Sequence, residues 1–518
     1  MNGCYGKHRS GKIVLLEDLK SLLDSVRSQR KIVMCHGAFD LLHIGHLHHL
    51  SSARKFGDVL VVTITADAHI TKGPDRPAFG AEQRAEMLAA LEIVDYVAIV
   101  DSPNALPAIE AVRPDCYVKG REYEDSGDDI TGQIVAEGDL VKQLGGELVF
   151  THDATYSSSN LLNRHFGAID GPVLDYLAQE ENRGLADRVA RYLDKIADMR
   201  IVVIGETIID RYVYVDPMGK SAKENIIATL RRDEEVFAGG GTAAAGHLSA
   251  LCNNVEFITL VGDGQKGENY EGLVRSSLPQ GTDVTFIRRA GGQTVRKTRF
   301  VEPTYVHKLF EVYDMDDEPL PPDTRDHLHA TIAEKCADAD LVVVCDFGHG
   351  MIGPETVALF ENLPAFLAVN AQSNAGNIGF NLVSKYRRAD FICIDALEAR
   401  LATGAKHASL KELTQQIQDR IIVCPKVIVT DGKRGCYVAD EVGAEVTQVP
   451  SFGNRAVDTV GAGDAFFVTA APFAAVGANC ETAGIMGNIA GAIEIGIVGH
   501  RRYLDKLEIQ RYLVTLLK

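Results

Sequence analysis

From Lys31 onward, short apolar runs alternate with amphipathic stretches. Lys31-Ile-Val-Met-Cys and Val59-Leu-Val-Val-Thr-Ile-Thr are apolar at successive positions, as strands covered on both faces are. Tyr96-Val-Ala-Ile-Val, Cys116-Tyr-Val and Glu147-Leu-Val-Phe continue the series. Residues 45–55 and 82–91, between these runs, read as helices. The alternation predicts an α/β architecture, a parallel sheet with helices on both faces. Val173 to Ala197 is charged and helical, with apolar positions at Leu177, Leu185, Val189, Leu193 and Ile196, and reads as a connector. Arg200-Ile-Val-Val-Ile-Gly restarts the α/β pattern. Residues 211–238 and 294–313 are β-rich, mixed with charges and without helical period, which predicts a small sheet projecting from the second domain. The expected division is a domain at 1–168, a helical linker at 169–198 and a domain at 199–518.

Size and composition fit that division. A chain of 518 residues is too long for one ordinary core, and 46% hydrophobic with 24% charged residues is the balance of a globular protein. No apolar run approaches the roughly 18–20 residues that span a bilayer. Met1-Asn-Gly-Cys-Tyr-Gly-Lys-His-Arg lacks the apolar segment of a secretory signal, so a cytoplasmic location is expected. The ten cysteines form no CxxC pair, and several lie in strand-like runs, as buried reduced thiols do. A formal net charge of −18 argues against nucleic acid or anionic membrane as partners, while leaving local anion sites open.

The first chemical candidate is His36-Gly-Ala-Phe-Asp-Leu-Leu-His43-Ile-Gly-His46, a turn that leaves the first strand and opens a helix. Helix N-termini carry unpaired amides and the positive dipole end, and so attract phosphate. His43 and His46, three apart, fall on one side of the first turn and can donate to the same phosphate oxygens. Gly45 leaves room for a nucleotide to approach. A metal pair, or solvated histidines beside His48 and His49, are the other readings of these rings.

In this setting the segment resembles the cytidylyltransferase-like nucleotidyltransferases, whose signature is HxGH after a G-x-F-D turn. The resemblance runs over residues 12–165 through Lys72-Gly-Pro-Asp-Arg76-Pro, Glu82-Gln-Arg84, Val94-Asp-Tyr-Val, Pro114-Asp-Cys-Tyr-Val-Lys119-Gly-Arg121-Glu-Tyr123 and Tyr156-Ser157-Ser158-Ser159-Asn160. It is strongest toward the adenylyltransferase half of the bifunctional bacterial heptose enzymes. It implies a Rossmann-like domain in which a sugar-phosphate oxygen attacks the α-phosphorus of a nucleoside triphosphate and releases pyrophosphate. His43 and His46 would bind the triphosphate, and Lys72 would be a mobile catalytic cation. Gly37, Ala38, Phe39, Ser157, Ser158 and Ser159 would contact the nucleotide, and Lys119 and Arg121 would face phosphates or sugar. A solvated loop lysine and a helix-surface ion-pair partner are the other readings of Lys72 and Arg84. Mg2+ is implied, with ATP, CTP or GTP as nucleotidyl donor.

The second candidate is Asp458-Thr-Val-Gly-Ala-Gly-Asp464, which precedes the apolar run Ala465-Phe-Phe-Val-Thr-Ala-Ala. Small residues let successive amides converge on an anion at a helix start, and Asp464 stands where a carboxylate can take a proton from an attacking hydroxyl. Upstream lies Phe237-Ala-Gly239-Gly240-Gly241-Thr-Ala-Ala-Ala-Gly-His. The pairing resembles the ribokinase-type (PfkB) sugar kinases over residues 199–518. Gly205-Glu-Thr-Ile-Ile-Asp210-Arg-Tyr, Lys297-Thr-Arg299, Asp346-Phe-Gly-His-Gly350 and Val429-Thr-Asp-Gly432-Lys-Arg-Gly435 fit its heptose-phosphate branch. The resemblance implies a ribokinase-like α/β/α domain with a small β-sheet lid and ATP as phosphoryl donor. Asp464 would be the base, with Gly461, Ala462 and Gly463 on the transferring phosphate and Gly432 near the nucleotide. Asp210, Gly239, Gly240, Gly241, Lys297 and Arg299 would hold the sugar, although Asp210 also reads as a turn cap. Two segments depart from the family pattern. Its Asn-x-x-Glu metal motif appears as Asp395-Ala-Leu-Glu398, where Asp395 and Glu398 would hold Mg2+ through water, and its Asp-Pro-Lys-like segment appears as Asn370-Ala-Gln-Ser-Asn374.

Together the two resemblances imply an enzyme of nucleotide-activated sugar synthesis, the sugar a heptose for surface polysaccharide, with domains in the reverse of the usual order. Its partners would be sugar phosphates and nucleotides, and pairing of lids implies a homodimer. A polyol- or alcohol-phosphate cytidylyltransferase fused to its supplying kinase, and a transferase carrying an inactive kinase-like domain for binding or dimerisation, are the other readings.

Overall fold

A computed structural model describes residues 11–70, 76–121, 124, 133–152, 171–264, 268–316, 318–453 and 456–517. The chain forms two compact units, Met1–Ala178 with Gln510–Lys518, and Gln179–Ile509.

In the first unit, β1 (Ile32–Gly37), β2 (Val59–Thr65), β3 (Tyr96–Val100), β4 (Cys116–Gly120) and β5 (Glu147–Thr151) form a parallel sheet in the order β3-β2-β1-β4-β5. The pleat explains why the strands read as continuous apolar runs. Val33 and Cys35 meet Leu50, Ala53, Ala85 and Leu88 on one face, while Ile32 and Met34 meet Leu19, Leu23, Ile109 and Val112 on the other. The order reverses at β1, between β2 and β4. Such a switch point opens a crevice at the carboxyl ends of the strands, and the turn after Gly37 lies there.

The second unit is built on nine strands: β6 (Arg200–Gly205), β9 (Asn254–Gly262), β10 (Asp283–Arg289), β13 (Leu341–Asp346), β14 (Phe366–Ala371), β15 (Phe391–Asp395), β16 (Lys426–Thr430), β17 (Cys436–Asp440) and β18 (Thr447–Val449). They run β10-β9-β6-β13-β14-β15-β16-β17-β18, parallel as far as β16 and antiparallel beyond it. A separate four-stranded sheet, ordered β12-β11-β7-β8, joins β7 (Thr207–Lys220), β8 (Ile227–Gly240), β11 (Val295–Glu302) and β12 (His307–Asp314). This is the small sheet expected from the charged β-rich segments. Register explains its mixed pattern. Asp210 pairs with Lys297, and Lys297 with Tyr313; Tyr212 pairs with Arg299, and Arg299 with Glu311, so these polar rows share one face. The alternate rows, Val236, Arg211, Thr298, Val312 and Val213, Phe300, Phe310, share the other.

The charged stretch Val173–Ala197 is helical in two pieces. Two helices, Gly171–Asn182 and Leu185–Ala197, are separated at Gly184, whose φ of +69° is the left-handed region that glycine enters at no steric cost. Glu180 spans the break, taking Arg183 at 2.6 Å and Arg188 at 2.9 Å. Leu185, Val189, Leu193 and Ile196 are buried as one stripe. All nine described cysteines are buried and free, and no helix among the described residues is long and apolar enough to cross a membrane.

Candidate active sites

His43 is the N-cap of the helix Ile44–Arg54, and its Nδ1 accepts from the Gly45 amide at 3.0 Å. His46 Nδ1 accepts from the His43 amide at 3.4 Å. A ring nitrogen that accepts an amide proton carries none itself, so each neutral ring bears its proton on Nε2, as a donor. The rings stack with centroids 3.9 Å apart, and burial lowers the His43 pKa, which favours its neutral form. Phe39, at φ +47°, turns the chain between strand and helix and packs on His46 at 5.2 Å. The turn is held from behind. Asp40 accepts from the Ala78 amide at 2.6 Å and pairs with Arg76 at 3.3 Å.

Arg84 is not a helix-surface residue. It is fully buried and donates to the Phe79, Ala38 and Thr65 carbonyls and to Asp67. Burial of a guanidinium is tolerated because these acceptors satisfy its fork. Gly37, Ala38, Phe39, His43 and His46 thus come together at the switch point. Lys119 lies at the end of neighbouring β4, where its ammonium meets Glu137 at 3.1 Å, and Arg121 is exposed just beyond. Lys72 and Ser157–Ser159 lie outside the described residues.

In the second unit, Gly461 adopts φ +83° and caps the helix Ala462–Ala475, which puts Asp464 in its first turn. Gln372 Nε2 donates to Asp464 Oδ1 at 2.5 Å, and burial pushes the Asp464 carboxyl up to about 6. Asp210, on the polar face of the small sheet, is buried against Arg299. Burial alone would raise its carboxyl, but the Arg299 guanidinium and the His500 ring outweigh it and hold Asp210 well below the usual range. Lys297 is nearly buried, its ammonium 5.2 Å from the Tyr313 ring centre, and burial lowers its pKa. The Gly239–Gly241 turn leads from β8 into the helix Gly241–Leu248, with Gly240 at φ +59°. Gly432, at φ +52°, sits in the exposed turn between β16 and β17.

Asp395 and Glu398 form a capping box at the helix Ala396–Thr403: Glu398 N donates to Asp395 at 2.7 Å and Asp395 N to Glu398 at 2.8 Å. Glu398 also accepts from the Ser373 amide at 2.8 Å. Burial, then the neighbouring Asp395, pushes Glu398 up to about 8. The altered 370–374 segment therefore ties this carboxylate pair to Asp464, through Ser373 and Gln372 respectively.

Sequence reasoning gave no role to several site residues. The buried Asp458 carboxylate accepts from Tyr212 at 2.8 Å and from the Gly499 and Val460 amides at 3.1 Å, and pairs with Lys308 at 2.5 Å. It thereby joins the small sheet to the loop before Gly461. His500 lies between the two glycine motifs: a Cβ at Gly239 or at Gly461 would come within 2.9 Å or 2.6 Å of its ring. Glu494 and His247 stand behind it, 3.7 Å from His500 and 3.8 Å from Glu494 respectively. The sequence signal was a single histidine near the end of the otherwise small and apolar helix Gly241–Leu248, and a glutamate closing the largely apolar helix Cys480–Glu494, whose other acidic residue, Glu481, lies in its first turn.

Comparison with known proteins agrees with both halves. A family model described as Cytidylyltransferase-like matches residues 34–161. Over 158 residues the chain is 40% identical to the "Bifunctional protein HldE" of Syntrophotalea carbinolica, covering 30% of this chain and 31% of that one. The protein of the same name in Geobacter sulfurreducens is 38% identical over the same length and shares. The chain thus spans about a third of the length of these relatives. A structure of Arabidopsis thaliana ribokinase with ribose and ATP has a TM-score of 0.49 at 16% identity, covering 62% of this chain and 99% of that one. A model described as pfkB family carbohydrate kinase matches residues 198–506, more than half of the chain, and the chain accordingly belongs to that kinase family, with a cytidylyltransferase-like domain ahead of the kinase domain.

Proposed function

We propose that the chain is a bifunctional enzyme of nucleotide-activated sugar synthesis, with a heptose phosphate as its substrate. The observation that carries the reading is the pairing, on one chain, of a phosphate-binding histidine turn at one sheet's switch point with a raised carboxylate at a glycine-opened helix. In the first domain, an oxygen of a sugar 1-phosphate attacks the α-phosphorus of ATP, CTP or GTP. The α–β bridging bond breaks, and pyrophosphate leaves against the Nε2–H donors of His43 and His46. Gly37, Ala38 and Phe39 leave space for the nucleotide, with Lys72, Lys119, Arg121 and Ser157–Ser159 completing the phosphate contacts. Positioning and charge neutralisation are the whole of what this transfer needs.

In the kinase domain, Asp464 takes the proton of a sugar hydroxyl as that oxygen attacks the γ-phosphorus of ATP and ADP leaves. The Gly461–Gly463 amides receive the charge of the moving phosphoryl group. Asp210 accepts sugar hydroxyls, the Gly239–Gly241 turn gives the sugar close approach, and Lys297 and Arg299 face its phosphate. Asp395 and Glu398 suit Mg2+ held through water, because a cation would offset the burial, and after it the Asp395 repulsion, that raise Glu398. Mg2+ held there would supply positive charge to neutralise the phosphates of ATP. Gln372 donating to Asp464 favours a second reading, a kinase-like domain kept for binding alone.

We assign the boundary between domains to 169–198, the site to the cytoplasm, and the working state to a homodimer. The outer face of the small sheet supports the dimer: Val236, Phe310 and Val312 share it and are exposed, and Phe310 stacks on Phe300 at 4.5 Å.

The purified chain, incubated with each triphosphate and a panel of sugar phosphates, should release pyrophosphate with a heptose 1-phosphate and ADP with a heptose phosphate. Turnover of glycerol or ribitol phosphates alone would replace the heptose reading with the polyol one. Pyrophosphate release without ADP formation on any sugar would support the binding-only kinase domain.

A further inference from the structure

We propose that His500 is a positioning residue of the kinase site, a buried imidazolium that locks the sugar-side Asp210 to the phosphate-side Gly461 turn and is itself anchored by Glu494 and His247. The proposal rests on the kinase reading above.

The geometry first excludes a metal. His247, Glu494 and His500 bring their ligand atoms within 4.8 Å of one another, the outline of a two-histidine, one-carboxylate site. However, His247 Nδ1 accepts from the Leu504 amide at 3.2 Å. The neutral ring therefore carries its proton on Nε2, the atom aimed at Glu494, and a protonated nitrogen cannot ligate. Burial lowers the His247 pKa to about 3, which keeps the ring neutral. Both N–H groups that face Glu494 are thus donors, and the cluster is a chain of charges.

That chain alternates. His500 Nε2 lies 3.6 Å from Asp210 Oδ2, and His500 Nδ1 lies 3.7 Å from Glu494 Oε1. Such separations are too short for an intervening water, so the charges meet directly. Both Glu494 oxygens, His247 Nε2 and His500 Nδ1 are buried without a hydrogen bond among the described residues. A carboxylate so placed is costly unless a cation faces it. Arg299, Asp210, His500 and Glu494 then read plus, minus, plus, minus. Although burial works against it, Asp210 and Glu494 raise His500 to about 10. Burial raises Glu494, and His500 and then Arg502 work against that, while Arg502 also disfavours a charged His247; His500 and Lys297 both stabilise the charged form of Asp464. The His500 cation therefore does three things: it holds Asp210 ionised, it fills the space that Gly239 and Gly461 leave, and it keeps the base available at neutral pH.

The test is the full chain carrying His500→Gln or Glu494→Gln, assayed for both half-reactions across pH. His500→Gln should lower kinase kcat/KM on the order of 10²-fold, raise KM for the sugar, and move the acid limb of the kinase profile to higher pH, while pyrophosphate release is unchanged. Glu494→Gln should retain activity near pH 6 and lose it on a new alkaline limb. Histidine ring 15N spectra of the wild-type chain, with His500 identified by difference against Glu494→Gln, should show one ring doubly protonated at pH 8. They remain decisive if His500→Gln folds poorly or if no sugar is turned over, in which case the kinase reading fails alone. An unshifted acid limb with unchanged KM, a neutral His500 at pH 8, or a divalent ion that co-purifies stoichiometrically and is lost in Glu494→Gln would each overturn the proposal.

Discussion

Burying a carboxylate makes its ionised form costly, and Asp464 illustrates the cost. Its folded-state carboxyl is raised by burial to about 6 from an ordinary 3.8. The protonated form is therefore favoured by folding: the contribution to stability is full below about pH 4 and is lost as pH rises through 6. Asp464→Asn should abolish ADP formation, leave pyrophosphate release intact, and raise the unfolding free energy at pH 8 by on the order of 1–3 kcal/mol, read by urea denaturation. No stability gain would mean that the charge is already compensated in the folded state. His46→Ala should do the reverse in the assay, eliminating pyrophosphate release while ADP formation continues. Both residues were legible because their chemistry is local, a motif within one turn of a helix start. His500, Glu494 and His247 were not, since His247 and Glu494 lie 247 residues apart in sequence and only the fold brings them within 3.8 Å.

Elements explain why local motifs need distant support. The histidine turn holds its shape through Arg84, whose four acceptors come from the turn, from β2 and the residues after it, and from Phe79, just before its own helix. Lysine cannot reproduce that fork. Arg84→Lys should destabilise the first domain by about 2–4 kcal/mol and raise KM for the triphosphate, measured by denaturation and by pyrophosphate release. Likewise Gly461 is fixed twice, by φ +83° and by the His500 ring at 2.6 Å from any added Cβ. Gly461→Ala should lower kinase turnover by about 10²-fold with little change in nucleotidyl transfer. The strands and helices around these turns were readable because parallel strands buried on both faces are unbroken apolar runs. The break at Gly184 was not, because one glycine within a charged helical stretch reads as tolerated until its φ is known.

At the scale of the whole molecule, the small sheet has two assignments that its sequence blends into one charged pattern. Register separates them. Asp210, Tyr212, Lys297, Arg299, Glu311 and Tyr313 share the face proposed for the sugar, while Val236, Phe300, Phe310 and Val312 lie on the other. Exposed apolar side chains on a face that also carries Arg211 and Thr298 invite a second copy, and two such sheets laid together would hold both opposite faces in place over their own sites. A single charge introduced on the outer face tests this without touching the inner one. Phe310→Asp should convert the dimer to monomer in sedimentation velocity and raise kinase KM for the sugar several-fold, with pyrophosphate release unchanged. The Asp210–Arg299 pair, on the opposite side of the sheet, provides the internal control. If the protein sediments as a monomer before substitution, or as a dimer after it, the outer face is not the interface.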